Sequence, residues 1–335
     1  MKMAMHSAAV LGAALAAALV LSGCPAQPTY PSTITPIYAA TSANGLYVYS
    51  GSTWTNYTGA TANFVSGALS SVVVSGSGTN AQVFVGSAGS GISAFNGSTW
   101  IKWTSPGSGL GSDTINRLLI GSTVYAATAN GLSAYNTDGS TPAWTNDTGS
   151  THTFTTVDDV FVYGSYTYIA AATNGLVIDS GTGSEAQVTI PTLAAAGVLP
   201  GTTSVTAVFV DASGDVIVGT NAGLAVQYAG SSSWSPLVSV SIVQLVMDAF
   251  GNLYTAAGSN GVYVYSASSS GAYTLSAHLL SGTTVNCVAV DGADTIYAGT
   301  AAGLLISMDG GSTWATQLSG KDVTAVTTTA PLYQF

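Results

Sequence analysis

Two adjacent carboxylates, Asp158-Asp159, and the chain's one arginine, Arg117, are the residues best able to do chemistry. Paired carboxylates at a suitable separation act as general acid and base on glycosidic bonds, and Asp113 or Asp322 are the acids that could join them. A guanidinium near such acids either forms a structural ion pair or receives a polar ligand. Three short segments, Asp211-Ala-Ser-Gly-Asp215, Asp248-Ala-Phe-Gly-Asn252 and Asp291-Gly-Ala-Asp294, repeat an acid at matching points. Calcium wants roughly six to eight oxygens, and each segment supplies too few alone. Asp, Asn and Gly also suit tight turns by satisfying backbone N–H groups and accepting positive φ, which is the favoured reading. His152 and His278 stand apart, with no metal-type spacing and no G-x-S-x-G elbow before a helix. No catalytic residue, metal ligand or cofactor is therefore assigned. Cys287 lies in an apolar run and reads as a small buried hydrophobe.

Composition narrows the partners. Hydrophobic residues make up 47% of the 335 residues and charged ones 5%, with a formal charge of −10. Phosphate backbones and anionic lipid surfaces require clustered cations, and four Lys+Arg do not make a patch. Nucleic acid is excluded on that ground. Two distant cysteines, Cys24 and Cys287, do not suggest a disulfide framework.

Residues 1–23 read as a secretory leader: Lys2, then an apolar run from Ala8 to Leu21 that is short for a bilayer span. The junction Leu21-Ser22-Gly23-Cys24 resembles the lipobox of bacterial lipoprotein signals. That resemblance implies cleavage before Cys24 and acylation, of palmitate type, at its thiol and new amino group. The mature chain would then be anchored to a membrane of the cell envelope without crossing it. Residues 24–36, with Pro25, Pro28, Pro31 and Pro36, read as a stiff tether.

The elements that must position these residues repeat along 37–335. A Gly followed by Leu, Ile or Val recurs at Gly45, Gly91, Gly131, Gly175, Gly223, Gly261 and Gly303, about 43 residues apart on average. Before each corner lies an apolar strand B: Ile37–Thr41, Val83–Ser87, Val124–Thr128, Tyr168–Ala172, Val216–Thr220, Leu253–Ala257 and Ile296–Thr300. A more continuously apolar strand A precedes it, as in Val205–Asp211 and Val285–Asp291, an alternating strand C follows, and a Trp-bearing segment supplies strand D. This period with four strands per unit predicts an all-β, seven-bladed propeller. The first unit lacks strand A and the C-terminus carries a spare one, Val323–Thr329, so joining the two closes the ring and removes the open sheet edges. Helix is expected nowhere beyond one turn around Leu193–Leu199.

Ser307-Met308-Asp309-Gly310-Gly311-Ser312-Thr313-Trp314 resembles the Asp box, S-x-D-x-G-x-T-W, of sialidase-type propellers. The resemblance implies a structural turn in which Ser307, Asp309, Gly311, Thr313 and Trp314 clasp the C-to-D hairpin. It does not extend to sialidase activity, which needs an arginine cluster. The Gly-Leu corners resemble the repeat of two-component-regulator propellers.

Stacking the seven A strands aligns Ser70-Ser71, Asn116-Arg117, Asp158-Asp159, Thr206-Ala207, Val243-Gln244, Asn286-Cys287 and Thr324-Ala325. In a propeller these strands surround the channel. Asn116, Arg117, Asp158, Asp159, Gln244 and Asn286 thus form a candidate channel-mouth ligand site, with a structural ion pair and ordered water as the alternative. Asp113, Asp147, His152, Lys321 and Asp322 fall on the same face, while Asp138, Asp179, Asp211, Asp215, Asp248, Asp291, Asp294 and Asp309 fall on the other. Trp100, Trp103, Tyr47, Tyr49, Tyr263 and Tyr265 offer either a binding platform or packing between blades. The function expected is a monomeric, non-catalytic binding or scaffold module whose ligand is an envelope protein or glycan. The alternatives are a propeller-type glycan hydrolase or lyase and an envelope assembly lipoprotein.

Overall fold

A computed structural model describes residues 36–75, 82–121, 123–135, 143–182, 184–195, 197–268 and 271–328. The leader, Cys24, the tether up to residue 35, Asp138 and Thr329 lie outside the described residues. Seven four-stranded antiparallel sheets form a β-propeller. In chain order, β1 (Ile37–Thr41), β2 (Leu46–Tyr49) and β3 (Trp54–Tyr57) belong to blade 1. Blade 2 is β4 (Leu69–Ser75), β5 (Gln82–Ser87), β6 (Ile92–Phe95) and β7 (Trp100–Trp103). Blade 3 is β8 (Ile115–Ile120), β9 (Val124–Thr128), β10 (Gly131–Tyr135) and β11 (Trp144–Asp147). Blade 4 is β12 (Asp159–Tyr163), β13 (Tyr166–Ala170), β14 (Leu176–Asp179) and β15 (Glu185–Val188). The helix α1 (Ile190–Leu193) follows, one turn with proline in its first turn. Blade 5 is β16 (Val205–Val210), β17 (Val216–Thr220), β18 (Leu224–Gln227) and β19 (Ser235–Val238). Blade 6 is β20 (Gln244–Met247), β21 (Asn252–Ala256), β22 (Val262–Ala267) and β23 (Tyr273–Leu279). Blade 7 is β24 (Val285–Val290), β25 (Ile296–Thr300), β26 (Gly303–Ser307) and β27 (Ala315–Gln317). The last strand, β28 (Val323–Thr328), pairs antiparallel with β1 and becomes the innermost strand of blade 1, so the ring closes as the sequence predicts.

The core is a set of slabs between blades, because the second strand of most blades is largely buried on both faces. The second strands β1, β17 and β25 are buried throughout. Tyr38, Ala40 and Leu46 of blade 1 pack on Leu69, Val72 and Trp100 of blade 2, and Ile37 and Ala39 meet Cys287, Tyr297 and Leu304 of blade 7 on the other side. Burial pushes the Cys287 thiol up to about 12, as suits a packing residue.

Each corner glycine is required by close approach. At Gly91 φ is +82°, and a Cβ there would run into the Trp103 carbonyl oxygen at the end of the blade's outer strand. The same collision with an outer-strand carbonyl would occur at Gly45, Gly131, Gly175, Gly223, Gly261 and Gly303. The hydroxyls of Thr41, Ser87, Thr128, Thr220 and Thr300 complete five corners by donating to the carbonyl of the corner glycine.

One expectation needs correction, and one pair of alternatives is decided. The second strand of blade 4 is Tyr166–Ala170, two residues earlier than Tyr168–Ala172. The hairpin turn takes only Gly164 and Ser165, and Ala172 turns away at φ 44°, its carbonyl accepting from the Val205 N–H of blade 5. Of the two readings of the aromatic residues, packing between blades is the one that holds. Trp100 and Tyr265 are buried, and Trp100 is wedged against Tyr57, Phe64 and Phe95. Trp103, Tyr47, Tyr49 and Tyr263 lean on the same inter-blade slabs.

Candidate functional site

The innermost strands β28, β4, β8, β12, β16, β20 and β24 touch one another in a closed circle. Five of them carry a β-bulge at the start, where Thr324, Ser70, Asn116, Thr206 and Asn286 are the extra residues that have no partner on the neighbouring strand. A bulge re-aims its side chain. Four of these side chains reach sideways into the next blade and donate to a carbonyl at, or two residues before, the start of its inner strand. Thr324 Oγ1 donates to Leu69 at 2.7 Å and Asn116 Nδ2 to Val157 at 2.7 Å. Thr206 Oγ1 donates to Ile242 at 2.7 Å and Asn286 Nδ2 to Val323 at 3.0 Å.

The three other interfaces are closed in the opposite sense, by the second residue of each aligned pair. Ser71 Oγ accepts from the Leu118 N–H at 3.0 Å, Asp159 Oδ2 from the Val208 N–H at 3.2 Å, and Gln244 Oε1 from the Val288 N–H at 3.1 Å. Going round the ring, blades 1, 3, 5 and 7 donate and blades 2, 4 and 6 accept. Every neighbouring pair of inner strands is therefore joined by a side-chain clasp. An odd blade number forces two donors to meet in succession, at blades 7 and 1, and there Asn286 Nδ2 also donates to Asp322 Oδ1 at 2.9 Å.

Arg117 departs from the pattern. Its Nη2 crosses the channel to the Val243 carbonyl of blade 6 at 3.1 Å, and its Nε lies 3.5 Å from Asp159 Oδ1. The Nε makes no hydrogen bond. The expected pairing with Asp158 or Asp159 thus falls to Asp159, whose burial raises its carboxyl against the opposing pull of Arg117 and the N–H groups of Val208 and Val160. The crossing guanidinium divides the channel into two recesses. One, of about 130 Å³, is lined by Val72, Val246, Val288 and Val326 among others, and the second, of about 160 Å³, by Asp159, Phe161, Phe209 and Leu245. Arg117 and Gln244 line both.

Asp158 occupies the place at which the odd blades carry a donor. Its carboxyl is half-buried and makes no side-chain hydrogen bond among the described residues. Burial, then repulsion from Asp159, raise it to about 6 against the attraction of Arg117.

Three further acids are committed to turns. Asp211 Oδ1 accepts from the N–H groups of Ser213 and Asp215, Asp248 Oδ1 from Phe250 and Asn252, and Asp291 Oδ1 from Ala293 and Thr295. In each case the second oxygen takes a tyrosine hydroxyl, from Tyr273, Tyr254 and Tyr297 respectively. Within its own blade the tyrosine sits six residues after the acid. Blade 5 has Ile217 there, and Tyr273 of blade 6 substitutes from the side. Among the described residues no three His, Cys, Asp or Glu side chains gather as metal ligands. In the Ser307–Trp314 turn, Asp309 accepts from the Thr313 N–H, the Thr313 hydroxyl and the Ser307 hydroxyl, which hold its carboxyl down at about 2. Trp314 Nε1 donates to the Gly311 carbonyl.

Glu185, the chain's one glutamate, carried no sequence signal. Its carboxylate accepts the N–H groups of Ser150, Thr151 and His152 and the hydroxyls of Ser150 and Thr151. Burial opposes its ionisation, but these donors win and bring it down to about 2. His152 Nδ1 stands 3.7 Å from the same carboxylate, so this histidine belongs to a loop anchor between blades 3 and 4.

No protein-family model matches the chain, and no curated protein sequence matches it. Solved structures do. The extracellular domain of a protein described as a hybrid two-component system of B. thetaiotaomicron superposes with a TM-score of 0.61 at 16% identity, over 85% of this chain and 37% of that one. PorZ, an essential bacterial surface component of the type-IX secretion system of Porphyromonas gingivalis, gives 0.62 at 18%, over 83% of this chain and 46% of that one. YCF48 bound to D1 peptide gives 0.51 at 15%, over 74% and 81%. The chain spans less than half the length of the first two, and at these identities the shared feature is the propeller fold.

Proposed function

We propose that the chain is a non-catalytic binding module of the bacterial cell envelope, held to a membrane through lipid on Cys24 and working as a monomer. The observation that carries this reading is Arg117: a cation strung across the mouth between two recesses, its Nε close to Asp159 but without a hydrogen bond. Of the mouth residues, Asn116, Asp159, Gln244 and Asn286 are tied to neighbouring blades. Ligand contacts therefore fall to Arg117 and Asp158, which can exchange partners without opening the ring. A small polar group at the end of a glycan or protein segment suits that pair. The fold neighbours support a binding role, since they include a surface component of a secretion system and a propeller with a bound peptide. The Ser307–Trp314 turn is read as an Asp box that clasps blade 7, apart from this site.

One observation favours a second reading. A carboxyl raised to about 6 beside a second carboxyl has the tuning of a general acid, as in a glycan hydrolase or lyase. A single panel separates the two. Wild type, Arg117→Ala and Asp158→Asn are screened against envelope glycans and peptides for thermal shift and for turnover. Binding without turnover, lost in Arg117→Ala, supports the module. Turnover lost in Asp158→Asn overturns it in favour of the enzyme. Palmitate labelling of the full chain, abolished in Cys24→Ala, tests the anchor.

A further inference from the structure

The channel mouth holds two carboxyls and one guanidinium, and the three are unequally engaged. Asp159 is met by donors alone: the N–H groups of Val160 and Val208, with the Arg117 Nε 3.5 Å away. Arg117 is spent there and, through Nη2, on the Val243 carbonyl across the channel. Its Nη1 makes no bond among the described residues. Asp158 belongs to no ion pair and accepts no side-chain hydrogen bond among the described residues. Strict alternation would turn it away from Asp159, but the strand is irregular here. The Asp158 N–H donates to the Ala170 carbonyl, and Ala170 is also the strand partner of Asp159, so two residues oppose one. The half-buried Asp158 carboxyl accordingly feels both Asp159 and Arg117. Beside them lies the recess of about 160 Å³, with Phe161, Phe209 and Leu245 among its walls. A cavity of roughly 150 Å³ admits a six-carbon ring, so an aliphatic side chain fits.

We propose that the mouth takes the free N-terminus of a polypeptide whose first residue is aliphatic, its α-ammonium on Asp158, its first carbonyl oxygen on Arg117 Nη1 and its side chain in the recess beside Phe161 and Phe209. This rests on the channel-mouth binding site proposed above and names the chemical group that enters it. The sign of the unmet charge selects the end of the chain. A C-terminal carboxylate or an acidic sugar needs a cation to spare, and the charge of Arg117 is taken up at Asp159, whereas the carboxyl left without a counter-charge is Asp158. An ammonium also brings three donors to a carboxylate that has none. An amino sugar carries an ammonium too, but against Phe161, Phe209 and Leu245 its hydroxyls would be buried without partners.

The test titrates the full chain, by anisotropy, into a pentapeptide that begins with leucine and carries a dye and an amide at its C-terminus. At pH 7 the Asp158 carboxyl, at about 6, is mostly ionised, and an α-amino group, at about 8, is mostly protonated. Saturable binding is expected. Acetylating the peptide's amino group and, separately, Asp158→Asn should each weaken it at least about tenfold, with thermal unfolding showing that the variant is folded. A peptide beginning with glycine, which leaves the recess empty, should bind more weakly than the leucine peptide. Equal binding of the acetylated peptide, equal binding by Asp158→Asn, or glucosamine binding where the peptide does not would each overturn the proposal. A glycan or acetylated peptide that binds and still needs Arg117 would do so while leaving the binding module standing. Absence of any binding that Arg117→Ala removes would take both.

Discussion

The inner ring and the outer rim of this propeller use polar residues for different ends. On the inner ring, seven interfaces are each joined by one side chain bonding to the next blade's backbone. On the rim, polar residues face solvent, and the outer strands rely on brevity, a charge, a proline or, in β23, a β-bulge at Ser276 to stay single. Polarity near a channel is therefore poor evidence of a ligand when inner strands have backbone groups to satisfy, since a buried unpaired group costs more than a paired one gains.

Substitutions break or sharpen this contrast in a definite order. Asp159→Ala should be the most damaging, because it strands the part-buried Arg117 charge and the Val208 N–H together; a loss of about 3 kcal/mol is expected in urea unfolding. Thr206→Val keeps the shape of the bulge and deletes only the clasp, leaving the Ile242 carbonyl unpaired, and should cost about 1–2 kcal/mol by the same assay. Asp158 should impose a pH dependence on the inner ring. A carboxyl whose folded value is raised stabilises the fold while protonated, so its contribution is complete below about pH 4 and disappears as pH rises through about 6. After allowance for solvent screening of this half-buried group, Asp158→Asn should recover about 1 kcal/mol at neutral pH and flatten the profile over that window. On the rim, Thr55→Gln in β3 should change stability by no more than about 0.5 kcal/mol.

The architecture was legible because its signals are local. Glycine at each corner, apolar alternation and the spare strand at 323 dictate seven closed blades, and the acidic segments read correctly as turns because an Asp that caps its own loop needs no distant partner. The site was legible only as a set of positions. Asn116 and Asn286 look like channel-facing residues under strict alternation, but the bulge inserts a residue and turns them toward the next blade, which no periodicity reveals. The blade 4 strand was misplaced by two residues for a related reason: Ala171 and Ala172 are as apolar as the strand they leave. Glu185 gave no signal, since its five donors come from a loop more than thirty residues earlier in the chain.

The clasp between blades 2 and 3 offers the most direct test, because Ser71 Oγ accepts a single backbone N–H, that of Leu118. Amide hydrogen exchange at Leu118 should quicken at least tenfold in Ser71→Ala, a change of about 1.4 kcal/mol in local opening. The Val208 and Val288 amides, clasped by Asp159 and Gln244, should stay as slow as in the wild type. Unchanged exchange at Leu118, or equal acceleration at all three amides, would contradict the account of a ring held blade by blade.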